Sequence, residues 1–467
     1  MNHTVPQPAN DSRDDTLHPD DAPHPDDAQS ETNDIELHIV SSSPVACNPA
    51  TAVLAHPLVW MAAGTTVFFA AWTFPPGLYA HLFATSSAMH FDLKSFGFTM
   101  SCIAVLLAGI WCGLGGSFRT GPPRLLVGTD LDQTPWTGNG LLVLLTLGNL
   151  ASCVIFIRAG GLGVIRAALQ GQEALDRGMR DMIDESGGQL WLTAIVLSSV
   201  FAPAGYQMYR SMHRHPVTRP LFILFILTYV IAALLGSRRN YIARPLFGIL
   251  LVWLVWPPVR QMTRRKALLA VAGAGVLMFF VFAGFSILRR GLDGTSDVLI
   301  DAARYLFTPY NTQSLIVHDV VRMPGAGTAY YWTEWLWHFP LISDVFELAE
   351  LRAEFFGEKA LTGFRERSPI LVDQGIETGT AIPAFACSWV DLGWYGVLPF
   401  FIVGLVCASC WKGFLRGAAV SLILYPAIAY SFVEWRANLT FPSVMTSYAL
   451  IVVGIIVVGR FLEAGRR

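Results

Sequence analysis

The chain has 467 residues, of which 53% are hydrophobic and only 14% are charged. Soluble domains average about 25% charged residues, so the composition excludes an ordinary soluble domain and predicts an all-α polytopic membrane protein. The formal net charge of −2 gives no basic surplus for a nucleic-acid partner, and none is expected. The seven cysteines lie mostly in apolar stretches, which favours neither a disulfide framework nor a zinc site.

Residues 1–52 are predicted to form a disordered acidic tail on the cytoplasmic side. The tail contains two HPDD repeats, at His18 and His24, which offer loose metal ligands. A solvated acidic tail is the favoured interpretation, because a segment of such low hydrophobicity cannot offset the entropy lost on ordering. No metal site is predicted. A signal peptide is not expected either, because no basic region precedes an apolar stretch.

The apolar stretches predict about ten transmembrane helices, since each crossing needs about 20 apolar residues. They divide into an N-terminal bundle of about seven spans in 53–288 and a C-terminal bundle of about three spans in 381–467. A large extracytoplasmic loop containing short helices, 289–380, is predicted between them. The spans are centred in 57–74, 97–116, 139–157, 189–208, 220–236, 242–258, 267–288, 394–411, 417–433 and 443–461.

Orientation follows from Lys and Arg in the short loops, which favour the cytoplasm. With the N-terminus inside, the basic loops around Arg119, Arg214, Arg264 and Lys412 all face inward. Both termini are then cytoplasmic, and the 289–380 loop faces out.

This orientation leaves several arginines on the outer side of the membrane. Arg238, Arg239 and Arg244 flank an outer turn, and Arg289 and Arg290 end the seventh span. One interpretation is an anionic ligand at the outer leaflet, because the planar guanidinium bonds two oxygens of a diphosphate at once. The alternative is that single arginines reach lipid phosphates.

The outer loop is rich in aromatic and ionisable residues. Trp332 and Trp335 could stack on sugar rings, or they could belong to an aromatic belt at the membrane interface. Glu334 and His338 are four residues apart and would share a helix face, with His338 able to act as a base near neutral pH. A helix cap is predicted for Asp391, which interrupts the next apolar run.

Three stretches of the second half resemble the O-antigen polymerases of the Wzy type, the oligosaccharide repeat unit polymerase family. GSRRNYIARPL (236–246) is similar to the family's Arg-bearing turn between short spans. YNTQSLIVHDVVRMPGAGTAYYW (310–332) is similar to its loop pattern. TGTAIPAFACSWVDLGWYGVLPFFIVGLV (378–406) resembles its D-x-G-x-x-G entry to a span.

The resemblance implies a glycosyltransferase of a bacterial cytoplasmic (inner) membrane. Its donor would be a polyprenyl-diphosphate-linked oligosaccharide and its acceptor another lipid-linked repeat unit, with no cofactor. Membrane lipid and a chain-length regulator protein are the further partners. The implied diphosphate-binding residues are Arg238, Arg239, Arg289, Arg290, Arg365 and Arg367.

Three residues remain open as the catalytic base that would deprotonate the attacking sugar hydroxyl, namely His338, Glu377 and Glu434. Trp332 and Trp335 are the expected glycan-binding residues. An O-antigen ligase shares the donor and the outer arginines and is the nearest alternative. A lipid-linked oligosaccharide flippase or an assembly scaffold are more distant ones, because no internal repeat is evident and the charges cluster at span ends.

Overall fold

The computed structural model describes residues 48–83, 92–118, 135–169, 189–211, 216–235, 239–256, 262–290, 295–323, 326–337, 339, 346–348, 350–351, 354, 382–435 and 444–465. All regular secondary structure in these ranges is helical, in agreement with the predicted all-α class. The described residues belong to one compact unit, Pro44–Arg467.

The first half of the chain forms eight of the described helices, five of which begin at a proline or directly after an aspartate, residues that favour a helix start. They are α1 (Pro49–Ala52), α2 (Pro57–Trp72), α3 (Pro76–Phe83), α4 (Leu93–Gly113), α5 (Pro135–Arg158), α6 (Gly161–Leu169), α7 (Gln189–Ser211) and α8 (Thr218–Leu235).

The second half contributes eight more described helices and a 3₁₀ turn, Gly393–Val397, between two of them. These are α9 (Arg239–Val255), α10 (Arg264–Arg290), α11 (Thr295–Val317), α12 (Tyr330–Trp337), α13 (Ala384–Leu392), α14 (Pro399–Leu415), α15 (Ala419–Val433) and α16 (Val444–Ala464).

Six stretches in the described ranges are long and apolar enough to cross a membrane, fewer than the ten predicted. They are Ala50–Trp72, Leu93–Gly113, Pro135–Arg158, Thr218–Leu235, Arg264–Gly284 and Met445–Ala464. Helices α9 and α15 are apolar but short, and α13 and α14 form a pair bent by 90°. A multi-pass membrane protein is supported, with six spans by length and composition among the described residues, or seven if the bent pair is one span; ten spans stay a prediction.

The helices pack side by side, so the bundle has two ends. At one, here called the terminal end, Asn48 Nδ2 donates to Met262 O at 3.0 Å and Lys412 Nζ donates to Gly113 O at 2.7 Å. The opposite end, here called the loop end, is where α13 starts and α15 stops. It contains most of the residues with candidate functions.

Helices α4 and α14 pack closely because small residues face each other. A Cβ added to Gly109 would lie 2.2 Å from Phe401 O, and one added to Gly404 would lie 2.4 Å from Leu106 O. Backbones that approach this closely leave no room for a side chain, as at the small-residue interfaces of membrane helices.

The packed part of the chain begins earlier than predicted. The predicted tail ended at residue 52, but Asn48 already caps α1, and Thr51 is fully buried with its hydroxyl donating to Leu254 O at 2.6 Å. Hydropathy over about 20 residues does not detect a helix as short as α1. Contacts with residues far away in sequence hold α1 in place.

The described part of the segment 289–380 contains a helix longer than the predicted short ones. Helix α10 continues to Arg290, and α11 is 23 residues long. The part of α11 from Thr308 to Val317 is buried throughout, against α2, α4 and α13. The sequence predicted short helices here, and α11 is longer than that; an extracytoplasmic location of 289–380 stays a prediction.

Candidate functional site at the loop end

A buried carboxylate closes the loop end of α15. Glu434 is only 7% exposed, and the phenol of Tyr430 donates to its Oε1 at 3.3 Å. The backbone N–H of Glu434 also donates to Tyr430 O, which ends the helix at this residue. Ionisable groups buried in a membrane bundle are costly and are usually functional, so Glu434 remains a candidate for chemistry.

A guanidinium lies on the face of the same tyrosine ring. Arg244, in the second turn of α9, has its Cζ 5.3 Å from the ring centroid of Tyr430. The Nη1 atom of Arg244 is buried and has no hydrogen-bond partner among the described residues. A buried donor without a partner costs about 1–3 kcal/mol, so this guanidinium is suited to receive an anionic oxygen.

Both groups lie below the loop-end limit of the bundle. Helix α15 has 15 residues and rises only about 22 Å, less than the roughly 30 Å of a hydrocarbon core. Its last turn contacts α2 at Gly64, where an added Cβ would lie 2.2 Å from Phe432 O. The part of α2 beyond Gly64 rises about 12 Å further before ending at Trp72. The short α15 therefore sets Glu434 at a recessed depth.

Helix α13 crosses the loop end beside this recess. Its first backbone N–H, on Ala384, donates to Trp435 O at 2.8 Å, and the rings of Phe385 and Trp435 meet edge to face at 5.2 Å. Trp435, the residue after Glu434, thus contacts the first turn of α13 through its backbone and its ring.

Asp391 joins α13 to α12 through a cap. The carboxylate is fully buried, and its Oδ2 accepts the backbone N–H of Trp332 at 2.9 Å, in the first turn of α12. The indole Nε1 of Trp332 donates to Ser388 Oγ at 2.9 Å, and that hydroxyl donates to Gly396 O at 2.5 Å. The capping role predicted for Asp391 is found, but the capped helix is α12 rather than the helix that follows Asp391.

A second polar region lies where α11 packs on α3 and α4. Gln313 is fully buried, and its Nε2 donates to Thr99 Oγ1 at 2.6 Å and to Ser95 Oγ at 3.2 Å. Burial raises the pKa of Tyr79 on α3, an effect that the neighbouring Thr308 partly offsets. This region fixes α11 to the bundle.

Comparison with protein-family models, curated proteins and solved structures finds no match. The function therefore has to be argued from the residues and their arrangement.

Of the predicted catalytic bases, only Glu434 can be placed. His338 and Glu377 lie outside the described residues, as do Arg238, Arg365 and Arg367. Arg239 begins α9, and Arg289 and Arg290 end α10, so these backbone positions lie at the loop end. Nothing is described of their side chains.

The predicted sugar-stacking residues are both half-buried in α12. Trp332 is held by Ser388 and meets the ring of Phe400 edge to face at 5.3 Å, and the carbonyl oxygen of Trp335 accepts from Ser447. Glycan binding by either residue stays a prediction.

Sequence reasoning did not single out Tyr430 or its contacts with both Arg244 and Glu434. An arginine interrupting an apolar stretch was a visible signal for Arg244. Its contact with Tyr430 was not visible, because the two residues lie on separate helices that are far apart in sequence.

Proposed function

We propose that the chain is a membrane glycosyltransferase that polymerises polyprenyl-diphosphate-linked oligosaccharide repeat units, as O-antigen polymerases do. The observation that carries the proposal is that the guanidinium of Arg244 lies over the ring of Tyr430, whose phenol donates to the buried carboxylate of Glu434. Arg244 lies within 236–246, one of the stretches that resemble the Wzy-type family.

In this proposal, arginines at the loop end hold the diphosphate without a metal. A hydroxyl oxygen of the acceptor sugar attacks the anomeric carbon of the donor, and the bond from that carbon to the diphosphate oxygen breaks. The bonding electron pair leaves with the diphosphate, whose growing charge Arg244 stabilises. Glu434 takes the proton that the acceptor hydroxyl loses.

The recessed depth of Glu434 suits a substrate whose lipid stays in the bilayer. A diphosphate attached to a polyprenyl chain lies at the membrane surface, so the reacting bond is close to the ends of the spans. In this proposal the diphosphate enters the recess left by the short α15 to reach Glu434 and Arg244.

Gel electrophoresis of surface glycan tests the proposal in a strain that lacks the chain. We expect single repeat units instead of a ladder, and restoration of the ladder by the wild-type chain. Arg244→Ala and Glu434→Gln should fail to restore it at normal protein levels, whereas Arg264→Ala, exposed at the terminal end, should succeed.

An unchanged ladder in the deletion strain would eliminate the assignment. Loss of all glycan from the lipid A core, with polymer still present on its lipid carrier, would instead indicate a ligase.

A further inference from the structure

Helix α10 is the least packed of the candidate spans. Its apolar stretch, Arg264–Gly284, has a mean hydropathy of 2.3, yet only 6% of it is buried. The comparable stretch Ala50–Trp72 is 44% buried. Among the described side chains of α10 only Ala267, near the terminal end, is fully buried.

The face of α10 turned toward the bundle is also incompletely covered. Ala270, Ala274 and Met278 follow each other at helical spacing on this face, and all three are only half-buried. The rings of Phe282 and Tyr305 lie 5.5 Å apart nearer the loop end, and Ala267 and Val271 pack on the core nearer the terminal end.

An open apolar seam therefore runs along α10 next to α9. For simplicity it is called the α10 seam and is defined by Ala270, Ala274 and Met278. It lies within the stretch that is long enough to cross the bilayer, so hydrocarbon is the material that fits it.

Arginines lie on the elements at the loop end of α10. Helix α6 contacts α10 and carries the exposed Arg166, and Arg158 is exposed at the end of α5. Neither forms a hydrogen bond or ion pair with another described residue. The backbone of α10 itself ends in Arg289 and Arg290. An anionic head group complements this positive charge, and phosphate suits guanidinium best.

We propose that the α10 seam holds the chain of a phosphate-bearing isoprenoid lipid, with its head against Arg158 and Arg166. The inference deepens the proposed function, on which it rests, because it gives the donor lipid a binding path between bilayer and site. The same chemistry is offered by bulk anionic phospholipid, so the test compares both sources.

Native mass spectrometry of the purified full chain in detergent measures the binding. Undecaprenyl phosphate and, separately, phosphatidylglycerol serve as probes. We expect a one-to-one complex with undecaprenyl phosphate that is at least about tenfold weaker in Ala274→Phe, which fills the seam. Ala272→Phe, two residues away on the exposed face, is the matched control and should bind as the wild type does.

A second variant guards against a folding defect in Ala274→Phe. Arg158→Ala combined with Arg166→Ala changes only exposed side chains and should weaken undecaprenyl phosphate binding several-fold. Equal binding in all variants would overturn the proposal. Seam-dependent binding of phosphatidylglycerol but not of undecaprenyl phosphate would also overturn the proposal, since the seam would then hold ordinary phospholipid.

The readout needs no activity, so it separates the two proposals. Seam-dependent binding in a chain whose deletion leaves the glycan ladder intact would contradict the polymerase function and retain the lipid site. Loss of the ladder without seam-dependent binding would retain the polymerase function and contradict the lipid site.

Discussion

At the scale of single residues, the hydroxyl of Ser388 holds the loop-end elements together. It accepts from the indole of Trp332 and donates to Gly396 O, so it joins α12, α13 and the following 3₁₀ turn. Ser388→Ala leaves a buried indole donor and a buried carbonyl without their partner. We expect the free energy of unfolding to fall by about 1–3 kcal/mol.

Thermal unfolding of the detergent-solubilised chain measures this effect. Ser409→Ala is the matched control, because its exposed hydroxyl bonds only within its own helix, to Leu405 O. A Tm for Ser388→Ala equal to that of the control would show that the network contributes nothing to stability.

At the scale of elements, the contact between α4 and α14 depends on a missing side chain. Gly109→Ala would place a Cβ 2.2 Å from the backbone oxygen of Phe401, which cannot move without shifting α14. Overpacking of this kind costs about 1–3 kcal/mol. Gly97→Ala in the same helix has open space around its Cβ and should be neutral or slightly stabilising.

The two alanine variants can be compared by thermal unfolding in one detergent. A Tm for Gly109→Ala at or above that of Gly97→Ala would contradict the close packing of α4 on α14.

The sequence predicted some elements well and others poorly, for a physical reason. Helices α4, α5 and α10 fall within a few residues of their predicted spans, because each is a long apolar stretch and hydropathy detects that property. The predicted span 394–411 falls on the 3₁₀ turn and α14, and hydropathy did not show that these follow α13 with a bend of 90°. Likewise, a cap at Asp391 was predictable from its residue type, but its partner Trp332 could not be identified without the fold.

Only the types of residue in the candidate site could be predicted from the sequence. The sequence showed that arginines gather near span ends and that Glu434 ends a span. It could not place Arg244 on the ring of Tyr430, whose phenol bonds Glu434, because that contact depends on α9 packing against α15.

At the scale of the whole molecule, the proposed function requires the loop end to face away from the cytoplasm. Cysteine labelling in intact cells tests this orientation, with native Cys47 and Cys112 changed to Ser. We expect Val320→Cys, exposed beyond α11, to react with a membrane-impermeant maleimide. Arg265→Cys, at the start of α10, should react only after permeabilisation. The opposite pattern would reverse the orientation and remove the site from the outer face.

The central claim is that this chain alone joins repeat units on a lipid diphosphate. It is tested most directly by incubating the purified chain with lipid-linked single repeat units extracted from the deletion strain. We predict a ladder of longer lipid-linked products, with Arg264→Ala as active as the wild type and Arg244→Ala reduced at least about a hundredfold, or about 2.7 kcal/mol. A wild-type chain that folds and binds the substrate but forms no product longer than one repeat unit would contradict the account.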